Sequence, residues 1–449
     1  MNKTLKKRNR VAGAAINSGG FGCIFSPALK CKNDKNKTKK KYISKLLIKK
    51  YGMQEVNMIK KIYNILKKIP NSDKYYLLKN INLCNPAKLT DEDKVDFNKK
   101  CENLNKINIT ESNVNQNLDK LVSIDIPYGG INLNEWIFDD KTINANKLIS
   151  LNNIIINMLK NGIVPMSKKN VIHGDIKDKN LLIDDKNNVR IIDWGISGIS
   201  TKKNIIPNEI INRPLQFNMP FSSMIIGEEF LYNYELFLKK IKKKEITFTE
   251  TNIGTFVINE YLTKLARYYG YYDDNISIFN ILFSSVISKD TYLSEQKKEC
   301  LLEYGYYLYF FSNYITKILM RYTKNCKLDL KKYVTECYIY NSNIWGLLSV
   351  YYNIFFIYHY KKELFLINDK NLLIYINNLR DMLVENLFKN GEYKINIKKI
   401  IHEINKLNKI LKHTKSRKNS KTKKNNNIKK TLKLKKNNTK KNILTISKF

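Results

Sequence analysis

The stretch VIHGDIKDKNLLIDDKNNVRIIDWG, Val171 to Gly195, decides how the rest of this chain is read. Transfer of a phosphoryl group from a nucleotide needs a carboxylate near the acceptor hydroxyl, positive charge on the migrating phosphate, and oxygen ligands for Mg²⁺. Asp175 supplies the first and Lys177 the second, while Asn180 and Asp193 offer side-chain oxygens suited to a hard cation. The runs LLID and VRIID, separated by Lys186-Asn187-Asn188, predict a β-hairpin. Such a hairpin sets Asn180 before one strand and Asp193 after the next, at the same end, where the two can share a metal.

HGDIKDKN and DWG resemble the catalytic loop H-R-D-L-K-x-x-N and the metal motif D-F-G of the eukaryotic-type protein kinases. The resemblance is closest to the serine/threonine-type kinases of large nucleocytoplasmic DNA viruses. Three further strings carry it: SGGFGCIFSPALKC (Ser18 to Cys31), IPYGGINL (Ile126 to Leu133) and RPLQFNMPFS (Arg213 to Ser222). Together they span most of residues 11 to 360. The resemblance implies an α+β, bilobal protein-kinase-like fold. It has a small β-rich N-lobe over residues 11–128 and a large, mainly helical C-lobe over 129–405, with a long helical insert at about 225–340. It also implies ATP and Mg²⁺ as cofactors and a protein bearing Ser or Thr as substrate.

Upstream, NSGGFGCIF fits a nucleotide clamp in which Asn17, Gly19 and Gly22 take the three glycine positions of the family's G-x-G-x-x-G-x-V. Ser18, Gly19, Gly20 and Gly22 would let backbone amides approach phosphate oxygens with little side chain in the way. Phe21 would cap the tip, and Ile24 would cover the adenine. Resemblance to V-A-I-K points to Lys45 in YISK as the phosphate lysine, with Lys49 and Lys50 as alternatives. Glu55 is the only acid between Lys45 and Asp73 and shares a helical face with Ile59, Ile62 and Leu66. An acid on an apolar face needs a partner. The ten-residue separation of Lys45 from Glu55 is shorter than the family's usual spacing. IPYGGINL would be the hinge between lobes; Pro127 has no N–H, so the adenine donor falls to Ile126 or a neighbour such as Tyr128.

Three departures from the family pattern bear on mechanism. Gly174 stands where many kinases carry the arginine that grips a phosphorylated activation loop, so activity is expected not to depend on that phosphorylation. No A-P-E follows DWG; RPLQFNMPFS occupies the region assigned to acceptor docking. NSNIWGLLSVYY, Asn341 to Tyr352, resembles the buried helix beneath the catalytic loop, with Asn343 where an aspartate is usual.

The 449 residues are 43% apolar, enough for a sizeable core, and carry a net charge of +40. Lys, Asn, Ile and Tyr are abundant while Gly and Pro are scarce, a pattern that resembles AT-rich coding bias, which is expected to contribute part of that charge. Residues 1–10 form a basic leader without the apolar region of a secretory signal. No acid follows Glu403, and seventeen Lys or Arg lie from Lys406 onward. Residues 406–449 are therefore expected to be a disordered basic tail, able to hold nucleic acid or another polyanion non-specifically, or to act as a nuclear-import address. Seven cysteines, odd in number and without a C-x-x-C, predict a reducing compartment; the viral resemblance implies an intracellular setting, host cytoplasm or virion. The uncharged run Ile344 to Tyr360 is just under the length of a spanning helix and reads as a buried helix. Leu148, Leu151, Ile155, Met158 and Leu159 form a helical stripe, with GIVPMSKKN after it as a loop.

Three functions compete on these residues. A Ser/Thr protein kinase is favoured by Lys177, where tyrosine kinases usually place an arginine nearby. A small-molecule phosphotransferase of the aminoglycoside or choline type shares HGD and the following Asn but generally lacks that lysine. A non-catalytic pseudokinase scaffold would make the basic tail the working part, although every catalytic residue type is present.

Overall fold

The computed structural model describes residues 14–19, 22–32, 41–138, 142–262, 278–283 and 307–412. Its first lobe is built on a five-stranded antiparallel sheet of spatial order β1-β2-β3-β5-β4. The strands are β1 (Ala14–Gly19), β2 (Gly22–Ser26), β3 (Tyr42–Ile48), β4 (Asn82–Cys84) and β5 (Leu121–Pro127). Register sets Lys45 of β3 between Ile24 of β2 and Ile124 of β5. Helix α1 (Lys49–Leu66) follows β3 directly and buries Glu55, Val56, Ile59, Ile62 and Leu66 at helical spacing. A Cβ at Gly52 would collide with the Val122 side chain. Glycine there lets α1 lie against β5, which offsets its cost of about 1 kcal/mol in a helix.

Between β4 and β5 the expected β-rich lobe also carries short helices, Asp91–Lys94, Phe97–Lys100 and Glu102–Asn105. Each is only about one turn long, too short to leave a helical period. Phe97, Cys101 and Leu104 join Cys23, Phe25 and Leu46 in a buried cluster of this lobe. Two disulfides that the cysteine spacing did not suggest tie this lobe. Cys23 is bonded to Cys101 and Cys31 to Cys84, partners 78 and 53 residues apart that only the folded sheet brings together. Cys326 and Cys337 are free, and Cys300 lies outside the described residues.

The larger lobe is mostly helical, as expected. The predicted hairpin is present as β8 (Leu181–Ile183) and β9 (Val189–Ile191), with β6 (Ile131–Asn132) along β8. Strand β7 (Val171–Ile172) pairs with β10 (Gly198–Ile199), and the two bracket the stretch from HGDIKDKN to DWG. Helix Ala145–Met158 buries Leu148, Leu151, Ile155 and Met158, then widens into a π-helical turn, Leu159–Ile163, and continues as Val164–Lys168. GIVPMSKKN is therefore mainly helix rather than loop. Pro165 falls inside this continuous helix, where its missing N–H removes a helical hydrogen bond just after the π-helical turn in which the Val164 N–H donates to the Leu159 carbonyl; the Tyr76 hydroxyl donates to the Gly162 carbonyl at 2.7 Å.

Helix Ile339–Leu348 is buried almost throughout. Its Trp345 ring lies 5.0 Å from both Phe221 and Phe388, and Trp345 Nε1 donates to the Phe217 carbonyl. The uncharged run ends in helix Tyr352–Tyr360, which buries Tyr352, Ile354, Phe355 and Ile357 in the same core and exposes His359 and Tyr360, and no helix among the described residues is long and apolar enough to cross a membrane. Helices Glu228–Lys242, Glu250–Phe256 and Tyr307–Tyr322 of the expected insert join that core through Phe230, Phe256 and Phe311; residues 263–277 and 284–306 lie outside the described set.

Helix Ile397–Lys412 packs on Ala145–Met158, and Asn152 donates to Asn408 Oδ1 at 2.8 Å. It buries Leu407, Asn408 and Leu411, continuing the stripe of Ile400 and Ile404, so the tail boundary set at residue 406 moves to 412. The leader, residues 1–10, and the rest of the tail, 413–449, are outside the described residues.

Candidate active site

Between β3, α1 and the end of the β8–β9 hairpin lies an ion cluster in which Lys45 and Glu55 are buried while the Asp193 side chain is 42% exposed. Lys45 Nζ lies 2.9 Å from both carboxylate oxygens of Glu55 and 2.9 Å from Asp193 Oδ1. Lys49 and Lys50, the alternatives, are exposed in the first turn of α1. Burial alone would push the Lys45 ammonium down, yet the carboxylates of Asp193 and Glu55 override it and hold the pKa above the usual lysine value. Burial raises the Glu55 carboxyl, and Lys45 opposes that only in part. Asp193 goes the other way: burial works against its charge, but Lys45 holds its pKa below the ordinary range. Asp193 also sits at φ +64°, a left-handed conformation uncommon for a residue with a Cβ.

Asp175 is buried and held on both oxygens. Its Oδ1 accepts from Asn218 Nδ2 at 2.8 Å; its Oδ2 accepts from Asn180 Nδ2 at 2.9 Å and lies 3.0 Å from Lys177 Nζ. Asn180 Nδ2 also reaches the Asp175 carbonyl at 2.8 Å, leaving its Oδ1 for a cation. The Ile192 N–H donates to the Asn180 carbonyl at 3.0 Å, which clips the start of β8 to the end of β9 and sets Asn180 and Asp193 at one end of the hairpin. Both offer oxygen, the donor type Mg²⁺ takes.

The loop is pinned from behind. His173 Nδ1 accepts from the Asp175 N–H at 3.2 Å, so Nε2 carries the proton and donates to the Ile192 carbonyl at 2.9 Å. Burial lowers the His173 pKa against the pull of Asp175 and Asp193, in keeping with a neutral ring. Asn343 accepts from the His173 N–H at 2.9 Å and donates to the Val171 carbonyl at 2.7 Å and Ser167 Oγ at 3.0 Å. Gly174 has φ +78°, and a Cβ there would stand 2.9 Å from the Ile196 carbonyl oxygen. Its backbone thus favours glycine for a reason separate from the lost arginine. Arg213 instead approaches from the RPLQFNMPFS segment and donates to the Gly174 carbonyl at 3.3 Å.

In the clamp, Ser18 pairs with Cys23 and Gly19 with Gly22 across the β1–β2 hairpin; Gly20 and Phe21 lie outside the described residues. A Cβ at Gly22 would overlap the Leu46 carbonyl of β3. Ile24 stands opposite Lys45. At the hinge, Ile126 is paired with Ile43, while the Tyr128 N–H donates to the Lys41 carbonyl at 2.7 Å. Tyr128 is thereby corrected as an adenine donor, since its amide is already spent within the chain.

A family model described as protein kinase domain matches residues 69–213. The fold is a bilobal kinase fold, with a small antiparallel-sheet lobe and a helical remainder. The match supports a eukaryotic-type protein kinase and, with it, phosphotransferase chemistry that uses ATP and a divalent metal. The clamp, Lys45 and Glu55 precede the matched stretch and rest on geometry alone. No curated protein matches the chain. Sequence reasoning missed Asn218: it lies 43 residues after Asp175, and only the place of RPLQFNMPFS after DWG hinted that this segment returns to the loop.

Proposed function

We propose that the protein is a serine/threonine protein kinase in which Asp175 accepts the proton of the attacking hydroxyl. The observation that carries this reading is the nearness of two networks, Lys45 with Glu55 and Asp193, and Asp175 with Lys177, Asn180 and Asn218, with Lys177 and His173 close enough to Asp193 to act on its charge. When bound, Mg²⁺ would be held by Asn180 and Asp193 and would neutralise charge developing on the transferred phosphate. Lys45 orients the α/β-phosphates, and Glu55 keeps that ammonium aimed into the cleft. Lys177, at salt-bridge distance from the base, steadies the γ-phosphate beside it. Ser18, Gly19 and Gly22 would cover the phosphates, and Ile24 with Ile126 would line the adenine side. Lys177 favours Ser or Thr as acceptor. Gly174 favours activity without activation-loop phosphorylation, and the basic segment 413–449 supplies a salt-sensitive contact for polyanions.

The deciding experiment incubates purified protein with labelled ATP·Mg²⁺, generic protein acceptors and a panel of small alcohols, beside Asp175→Ala. Label on Ser or Thr that the variant loses supports the reading. Label on a small alcohol alone moves the protein to the small-molecule phosphotransferases, and absence of any transfer leaves a scaffold.

A further inference from the structure

The second disulfide differs from the first in its surroundings. Cys23 and Cys101 are sealed among Phe25, Phe97 and Leu104, and among the described residues no third ligand atom joins them. Cys31 and Cys84 are only half-buried, and the Asp125 carboxylate of β5 stands beside them, with one ligand atom from each of the three within 4.8 Å of the others. Asp125 Oδ1 accepts from Ser44 Oγ at 2.8 Å and from Ser123 Oγ at 3.3 Å, while Oδ2 faces Cys31 Sγ at 3.5 Å. Ser44 Oγ is itself fixed, accepting from the Leu29 N–H at 2.8 Å. Backbone bonds from Lys32 to Asn85 and from Ala87 to Lys30 lock the segments bearing the two cysteines together.

We propose that Cys31, Cys84 and Asp125 form a zinc site in the reduced protein, and that the disulfide is the same site in its oxidised, metal-free state. Zinc takes thiolate sulfur at about 2.3 Å and carboxylate oxygen at about 2.0–2.2 Å. Tetrahedral ligands at those lengths stand roughly 3.3–3.8 Å apart, within the spread already present; only the two sulfurs must separate. The serines play the part of outer hydrogen-bond partners, which hold a ligating carboxylate in place. The half-exposed side leaves the fourth position to water. A dithiol reductant delivers two electrons and two protons to the S–S bond and becomes a cyclic disulfide; Zn²⁺ then binds the two sulfurs and releases both thiol protons. Exchange with a disulfide oxidant runs the steps backward and expels the metal. Either state ties the segment after β2 to the edge strand β4, so this corner of the lobe stays crosslinked whatever the redox setting.

The test purifies the full chain in a dithiol reductant, equilibrates it with Zn²⁺ in excess Mg²⁺, and measures metal content and native mass. The expected result is one zinc per chain, with visible absorption of a four-coordinate thiolate site on Co²⁺ substitution. Cys31→Ser/Cys84→Ser should lose the metal, and Asp125→Asn should weaken it at least about tenfold; Cys337→Ser should keep it. Circular dichroism melting checks that each variant is folded. Reduced, folded protein without bound zinc, or zinc kept by the double variant, overturns the proposal. None of these readouts depends on kinase activity, so its failure and that of the functional reading are distinguishable.

Discussion

Replacing Asn343 with aspartate, the residue usual at this place in the kinases it resembles, should damage this protein. Asn343 is 1% exposed; its Oδ1 accepts from the His173 N–H, and its Nδ2 donates to the Val171 carbonyl at 2.7 Å and Ser167 Oγ at 3.0 Å. An aspartate keeps the first bond but turns an oxygen toward the Val171 carbonyl. A buried acceptor without its donor costs about 1–3 kcal/mol, and in a chain this long each kcal/mol lowers Tm by roughly 2 °C or less. The loss should depend on pH. Burial would raise the folded-state pKa of the introduced carboxyl above the unfolded value of about 3.9. Below the unfolded value that carboxyl is protonated in both states and can donate to Val171, so the penalty is smallest. It grows as pH rises toward the folded pKa, because the unfolded chain then ionises first. Thermal melts of wild type and Asn343→Asp between about pH 5 and pH 8 read this directly. A variant as stable as wild type, or a Tm difference that does not widen with pH, refutes the argument.

Lys45→Met should cut turnover at least about 100-fold and lower Tm, since it strands Glu55 beside Asp193. The Glu55 carboxyl is already raised by burial, so that Tm loss should shrink as pH falls and Glu55 protonates; melts at two pH values with a kinase assay check both. Gly174→Ala should cost about 1–2 kcal/mol for a Cβ at positive φ, seen by melting, while phosphatase-treated wild type should keep full activity. Asn218→Ala should lower kcat by up to about 100-fold through a misplaced base with little change in KM for ATP, measured by steady-state kinetics. Truncation after Lys412 should leave Tm unchanged and abolish salt-sensitive binding to a polyanion such as heparin. Truncation after Asn405 should also lower Tm, because it removes Leu407 and Leu411 from the core.

What could be read from the sequence was local. HGDIKDKN, the hairpin and DWG lie within 25 residues, and their spacing alone sets Asn180 and Asp193 at one end. What escaped depends on distant segments meeting: Asn218 on Asp175, Cys23 on Cys101, and the helix reaching Lys412 docked on Asn152. The basic character of residues 406–412 hid that helix, because lysines at the exposed positions outweighed the stripe of Ile400, Ile404, Leu407 and Leu411 in the reading of charge.

The short Lys45 to Glu55 spacing shows how a local departure can leave a long-range contact intact. Helix α1 begins at Lys49, immediately after β3 ends at Ile48, so no connecting loop uses up residues. Three strand steps of about 3.3 Å carry the chain from Lys45 to Ile48, and six helical steps of about 1.5 Å carry it from Lys49 to Glu55. The two paths are nearly equal. A reversal at the strand–helix junction, where Ile48 holds φ −56° and ψ 132°, therefore returns Glu55 level with Lys45, and the carboxylate meets the ammonium at 2.9 Å. A loop inserted at Ile48 would need to lengthen the helix before Glu55 to preserve that meeting, so the missing loop and the shortened spacing are a single structural change.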